Sequence, residues 1–236
     1  MDKVLTHCAF CGSRADSLFC RLTEQAMEKL DSGKAVQEFA ARQIVFHEGA
    51  PPFALHCLHR GAVKLFKTLE KGGRQTLRLL GPGEVFGYRA VLADEPYAAT
   101  AETIIPSHLC TIPGDVFRSL VEQNPALGLE LLGKLARELR ISGEQMLSLT
   151  QDSVLQRTAR LLLTLHEAGL GDMISGPEGG ALMRSEMAQT VGTTAETFSR
   201  TLRLLADTGA ISLDRKNLIV QDSRKLELLA RRGRID

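Results

Sequence analysis

The chain has 236 residues, 44% hydrophobic and 24% charged, with 29 Lys and Arg against 28 Asp and Glu for a net charge of +1. This is ordinary globular usage, long enough for one or two domains, and it supplies no general field for polyanions, so any nucleic-acid contact must rest on local charge. No apolar run reaches the roughly 18 residues of a membrane span, and the start MDKVLTHCAF has no basic stretch followed by an apolar one, so neither a membrane anchor nor a signal peptide is expected and a cytoplasmic location follows.

In chain order, residues 1–22 come first and hold Cys8, Cys11 and Cys20 within thirteen positions, whereas only Cys57 and Cys110 follow. An odd number of cysteines in a reducing compartment speaks against a disulfide framework and for metal or thiol chemistry. Thr23, followed by EQAMEKL, predicts a short helix with Thr23 as its N-cap. From about Glu38 to Pro113 short apolar stretches alternate with turn signals. EKGGRQ lies between two alternating runs, Val63 with Leu65 and Leu77 with Leu79, and reads as a hairpin turn. Many short strands at this spacing predict a sandwich or rolled barrel. Cys57, in ALHCLHRG, reads as a small hydrophobe buried in a strand; the flanking His56 and His59 keep a haem or metal role open.

From Pro113 the texture turns helical. GDVFRSLVEQNP is a short helix interrupted at Pro125. Beyond it Leu132, Leu135, Leu139, Ser142, Met146 and Leu149 step by 3, 4, 3, 4 and 3, an a/d heptad seam with one polar position. The seam serves either packing on its own domain or a dimer; the helix is long and separates two differently textured halves, which favours the dimer. Ser142 beside Gly143 weakens the seam at one point. SVLQRTARLLLTLHEAGL is a second amphipathic helix, and GDMISGPEGG a loop.

Residues 183–222 read helix, turn at Gly192, helix, then a small hairpin. In the second helix Phe198, Leu202 and Leu205 form one apolar face. Glu196, Ser199 and Arg200 fall at i, i+3 and i+4 on a polar face in its first two turns, next to Thr194. A recognition helix touches base edges with such positions. Arg can pair with O6 and N7 of guanine, Glu can accept from the cytosine amino group, and Ser can do either. The hairpin turn carries Arg215 and Lys216, placed to lie against phosphates as a wing. A second reading stays open: Thr193-x-x-Glu196 matches a capping box, in which Glu196 closes the helix N-terminus. No Ser-His-Asp set, P-loop or paired carboxylate motif stands out, so an enzyme is not expected.

VGTTAETFSRTLRLL resembles the helix-turn-helix of the CRP/FNR superfamily of bacterial transcription regulators, and GPGEVFGYRAVLADEPYAATAET resembles its β-roll. The resemblance runs from about residue 7 to 222 in the expected order. It implies an α+β fold: a Cys-rich segment at 1–22, a β-roll sensor domain at 23–122, a dimerisation helix at 123–150 and a winged helix-turn-helix at 151–236. It implies double-stranded DNA with a palindromic promoter site, a second copy of the chain and RNA polymerase as partners.

The cyclic-nucleotide branch of that superfamily holds its ligand with a Glu after FG and an Arg-Ser pair further on. Those places are Tyr88, Ala98 and Ala99 here, so a cyclic nucleotide is not expected. Arg89 is adjacent, and on a strand it would point to the opposite face. The oxygen-sensing branch, the fumarate and nitrate reduction regulators, joins N-terminal cysteines to one inner cysteine in a segment that PSHLCTIPGDVF resembles, at Cys110. The resemblance implies Cys8, Cys11, Cys20 and Cys110 as ligands of an oxygen-labile [4Fe-4S] cluster. It also implies Glu196, Ser199 and Arg200 as readers of TTGAT-like half-sites. Eight residues separate Cys11 from Cys20, more than that branch usually leaves. Zinc also accepts four thiolates, so the alternatives are the same scaffold sensing redox, nitric oxide or a haem ligand through thiols or haem, or a zinc-stabilised interaction module. His7 and His108 lie near the implied ligands in sequence and are read as shielding or tuning them.

Overall fold

The computed structural model describes residues 8, 18–19, 22–70, 73–167, 170, 184–213 and 218–233. Cys11, Cys20, His7, Arg215, Lys216 and the GDMISGPEGG loop lie outside these. The chain divides into two compact units, Met1–Lys67 with Leu79–Leu139, and Thr68–Arg78 with Arg140–Asp236.

The first unit begins with α1, Glu24–Gly33, whose Thr23 cap accepts a hydrogen bond from the Ala26 N–H and whose buried face is Ala26, Met27 and Leu30. Eight short strands follow: β1 Ala35–Phe39, β2 Ile44–Phe46, β3 Ala54–Arg60, β4 Val63–Thr68, β5 Arg74–Leu80, β6 Val85–Phe86, β7 Thr100–Thr103 and β8 Ser107–Pro113. They form two four-stranded sheets with orders β1-β8-β3-β6 and β2-β7-β4-β5. The turn between β3 and β4 depends on Gly61 at φ +101°, where a Cβ would sit 2.2 Å from the Ser107 Oγ; a side chain there clashes with β8 and strains the backbone. A short helix α2, Tyr88–Ala93, leaves β6, and α3, Gly114–Gln123, leaves β8. The expectation that Arg89 lies on a strand is therefore corrected. Gly87 caps a helix there, and Arg89 reaches to within 3.9 Å of Glu138.

Two cores result from the alternation of side chains along β3 and β8. One, inside the roll, gathers Phe46, Leu58, Val63, Leu65, Leu80, Phe86, Tyr97 and Leu109. The other covers the opposite face of the β1-β8-β3-β6 sheet. There Leu55 and Ile112 meet Phe19, Leu22, Met27, Leu30, Phe117 and Leu120, together with Leu127 and Leu131 of α4, Pro125–Gln151. Phe117 is fully buried edge-on to Phe19 at 6.4 Å, and truncating such a side chain to Ala costs about 3–5 kcal/mol. Phe19 and Leu22, with Cys8 and Leu18 packed alongside, thus belong to the core that seats α4.

The second unit comprises α5 Val154–Glu167, α6 Arg184–Thr190, α7 Ala195–Asp207, the hairpin β9 Ile211–Leu213 with β10 Leu218–Val220, and α8 Ser223–Arg232. α5 packs on α8 and α7, and Leu162 and Leu165 of α5, Leu202 and Leu205 of α7, and Leu226 and Leu229 of α8 are all buried. Among the described residues no helix is long and apolar enough to cross a membrane.

Candidate DNA-reading element and cysteine cluster

The turn between α6 and α7 is held from several sides. Gly192 adopts φ +67°, and a Cβ there would approach the Leu149 Cδ2 to 2.9 Å. The Arg157 Nε of α5 donates to the Val191 carbonyl at 2.8 Å. The cap of α7 is Thr194, whose Oγ1 accepts from the Thr197 N–H at 3.2 Å. This corrects the capping-box alternative. With Thr194 rather than Thr193 at the cap, Glu196 is the second helical residue, and its carboxylate accepts from the Arg200 guanidinium one turn on. Phe198, Leu202 and Leu205 are buried, which turns the other face outward. The side chains of Glu196 and Arg200 are 76% and 70% exposed, and Ser199 between them is half-buried. Glu196, Ser199 and Arg200 therefore share one outward strip of an amphipathic helix, with the exposed cap Thr194 at its start.

The seam of α4 divides. Leu139 and Met146 are 76% and 71% exposed, and Leu132 and Leu149 are exposed as well, as is Ser142. Leu135 departs from them: it is half-buried against the core of its own first unit. Packing on its own unit thus holds for Leu135, while the other seam residues are left exposed.

At the cysteines, sequence reasoning missed Asp31 and Lys34, at the end of α1 and just past it. Lys34 Nζ donates to Cys8 Sγ at 2.8 Å and to Asp31 Oδ1 at 2.5 Å, and Asp31 Oδ1 also accepts the Cys8 N–H at 2.8 Å. The Lys34 side chain is only 2% exposed. Burial pushes the Cys8 thiol up to about 12, with Lys34 opposing only in part. Burial by itself would lower the Lys34 ammonium, but its hydrogen bonds to Asp31 and Cys8 hold it above its usual value, with Cys110 contributing least. Cys8 thus contacts this ammonium, and Cys110, from a distant part of the chain, pairs with Val36 two residues beyond Lys34. Metal ligation by cysteine requires thiolates; in the metal-free chain burial outweighs Lys34 and keeps Cys8 protonated, so a bound metal would have to displace that proton, with Lys34 beside the sulfur to offset the thiolate charge. No three His, Cys, Asp or Glu side chains among the described residues lie together as a metal set; Cys11 and Cys20 are outside them. His108 faces Glu38 at 3.7 Å. Cys57 is half-buried rather than fully buried. No spacing signal in the sequence points to Lys34, because its contact with Cys8 is made by folding.

Inside the roll, Tyr97 stacks on Phe46 with ring centroids 3.8 Å apart, and its hydroxyl donates to the Ala54 carbonyl. Tyr88 is buried under the Lys134 ammonium, 5.8 Å from its ring centroid.

Residues 36–124 match the cyclic nucleotide-binding domain, and residues 156–229 match the Crp-like helix-turn-helix domain. Over 240 aligned residues the chain is 30% identical to a CRP-like cAMP-activated global transcriptional regulator of Mycobacterium tuberculosis, covering 99% of this chain and 100% of that protein. The chain belongs to the CRP/FNR family of transcription regulators. This CRP/FNR regulator is also 25% identical over 221 residues to the Anaerobic regulatory protein of Pasteurella multocida, covering 92% of this chain and 80% of that one. The structure of FixK2 from Bradyrhizobium japonicum shares its fold, with a TM-score of 0.70 at 22% identity over 83% of this chain and 96% of that one. The protein is a DNA-binding transcription regulator, its relatives are regulators rather than enzymes, and regulators of this family typically dimerise.

Proposed function

We propose that this regulator binds a TTGAT-like palindrome as a homodimer in the cytoplasm, recruits RNA polymerase there, and is governed by a [4Fe-4S] cluster on Cys8, Cys11, Cys20 and Cys110. One observation supports the reading: Lys34 Nζ lies 2.8 Å from Cys8 Sγ, and Cys110 pairs with Val36, two residues beyond Lys34, so one short stretch of chain adjoins both cysteines. The printed name of the Pasteurella multocida relative, an anaerobic regulatory protein, agrees with an oxygen-linked signal. When bound, the cluster supplies an oxygen-labile cross-link between the N-terminal segment and β8.

The chain's own residues do the rest. Cys8 and Leu18 pack against the core that also holds Leu127, Leu131 and Leu135 of α4. Ordering the segment therefore bears on the seat of α4. Leu132, Leu139, Met146 and Leu149 offer their exposed edge to a second copy, and a dimer presents two α7 helices to successive major grooves. Arg200, Glu196 and Ser199 read bases, with Thr194 beside them; Arg215 and Lys216 touch phosphate. The segment's state must favour the DNA-binding form by a few kcal/mol to act as a switch.

The cyclic AMP in the name of the Mycobacterium tuberculosis relative is not carried over. Tyr88, Ala98 and Ala99 bring no charge to a phosphate, and losing a buried charge-assisted pair costs several kcal/mol, on the order of a thousandfold in affinity. Tyr97 and Phe46 moreover stack on each other within the core of the roll.

Protein purified without oxygen from iron-replete cells should be brown, contain iron and acid-labile sulfide, and bind a TTGAT palindrome; air should abolish both. Cys110→Ala should lose iron as fully as Cys11→Ala, and Cys57→Ala should keep it. Bleaching in air with unchanged DNA affinity overturns the switch, and iron loss in Cys57→Ala overturns the ligand set.

A further inference from the structure

Cys57 of β3 and Cys110 of β8 are direct cross-strand partners. The row continues on both sides, with Val36 of β1 opposite Cys110 and Val85 of β6 opposite Cys57. The two thiols thus sit side by side in an apolar row of one sheet, on the face that carries Leu55 and Ile112. Opposed residues of an antiparallel pair have Cα atoms roughly 4.5–5.5 Å apart, inside the range of about 4.4–6.8 Å that a disulfide spans. Neither is part of a disulfide in the structure. Cys57 is half-buried and Cys110 buried, so an oxidant from solvent meets Cys57 first. The strand register fixes Cys57 beside Cys110.

We propose that Cys57 and Cys110 form an oxidisable pair that closes to a cross-strand disulfide when Cys110 carries no metal, withdrawing Cys110 from ligation. The oxidant is a peroxide. The Cys57 sulfur attacks one oxygen of hydrogen peroxide, giving a sulfenic acid and water. The Cys110 sulfur then displaces the second oxygen as water, so two thiols and one peroxide become one disulfide and two waters. The consequence for ligation rests on Cys110 being a ligand, as proposed above; the disulfide itself does not.

The test uses the full metal-free chain, reduced, freed of reductant, exposed to hydrogen peroxide, then alkylated and digested with trypsin. The four cysteines other than Cys11 fall on separate peptides, 4–14 for Cys8, which also contains Cys11, 15–21 for Cys20, 43–60 for Cys57 and 90–118 for Cys110. A linked pair of 43–60 with 90–118, absent after dithiothreitol and absent in Cys57→Ser, is the expected result. Linkage of 90–118 to 4–14 or 15–21, or full alkylation of Cys110 after peroxide, overturns the proposal. Iron uptake on reconstitution before and after peroxide is scored separately. A protein that never takes up iron yet shows the linked pair sinks the cluster reading and leaves this one standing. A protein that takes up iron but forms no such pair does the reverse.

Discussion

Lys34 Nζ stands 2.8 Å from Cys8 Sγ and 2.5 Å from Asp31 Oδ1, so one buried ammonium joins the end of α1 to the N-terminal cysteine segment. The contact is costly to break from one side. With Lys34 gone, the Asp31 carboxylate, only 14% exposed, loses the ammonium 2.5 Å away.

Lys34→Met should therefore destabilise the metal-free protein by about 3 kcal/mol, the scale for removing one partner of a buried pair. Urea unfolding reads this directly. The double variant Lys34→Met with Asp31→Leu should recover part of the loss, since it removes the stranded charge too. A single variant as stable as the wild type means that the ammonium is solvated in solution.

His56 gives a pH dependence. It is 2% exposed, stacks on Phe46 and Phe86 at 5.6 and 5.3 Å, and shares a hydrogen bond between Nδ1 and Thr111 Oγ1. Burial pushes its pKa from 6.5 down to about 4. The unfolded chain binds the proton more readily, so stability is full above pH 6.5, falls as pH drops towards 4, and levels off below, by about 3 kcal/mol in all. His59, also held down by burial, adds in the same direction, so the comparison with His56→Leu isolates the effect. Urea midpoints measured across this window should slope less in the variant; parallel curves would show that His56 charges in place.

Arg200→Ala should weaken binding to the specific palindrome by about 1–3 kcal/mol and relax discrimination at one base pair, while binding to random DNA changes little. Fluorescence anisotropy on matched and scrambled duplexes measures both. An equal loss on the two would make Arg200 a phosphate contact. Because Glu196 holds Arg200 in the free helix, Glu196→Ala should change sequence preference as well as affinity.

Leu139→Glu tests the seam. Leu139 is 76% exposed, so the monomer should keep its stability to within about 0.5 kcal/mol, whereas an apolar interface would lose a central contact. Sedimentation velocity should show a shift from dimer to monomer, and specific DNA binding should fall with it. A variant that remains dimeric places the interface elsewhere.

Much of the architecture was readable from local pattern. Thr23 caps α1 and Pro125 opens α4 as their residue types dictate, and Phe198, Leu202 and Leu205 form the inner face of α7 at helical spacing. The misreadings were also local: Arg89 sits on α2 instead of a strand, and the α7 cap is Thr194 instead of Thr193, since a short element is decided by its surroundings as much as by its own residues. Leu135 shows the limit of periodicity, because the heptad gives its face and the fold decides which partner takes it.

By itself, the sequence determined the order of the parts, the amphipathic faces and the residue types available for chemistry, because spacing and propensity act between neighbours in the chain. Only the tertiary structure decided that Lys34 reaches Cys8, that Cys57 stands opposite Cys110, and that the segment holding Cys8 packs on the core that seats α4. Those relationships depend on strand register and on side chains brought together from far apart, and a shift of one residue along β3 or β8 would turn each cysteine to the other face of the sheet.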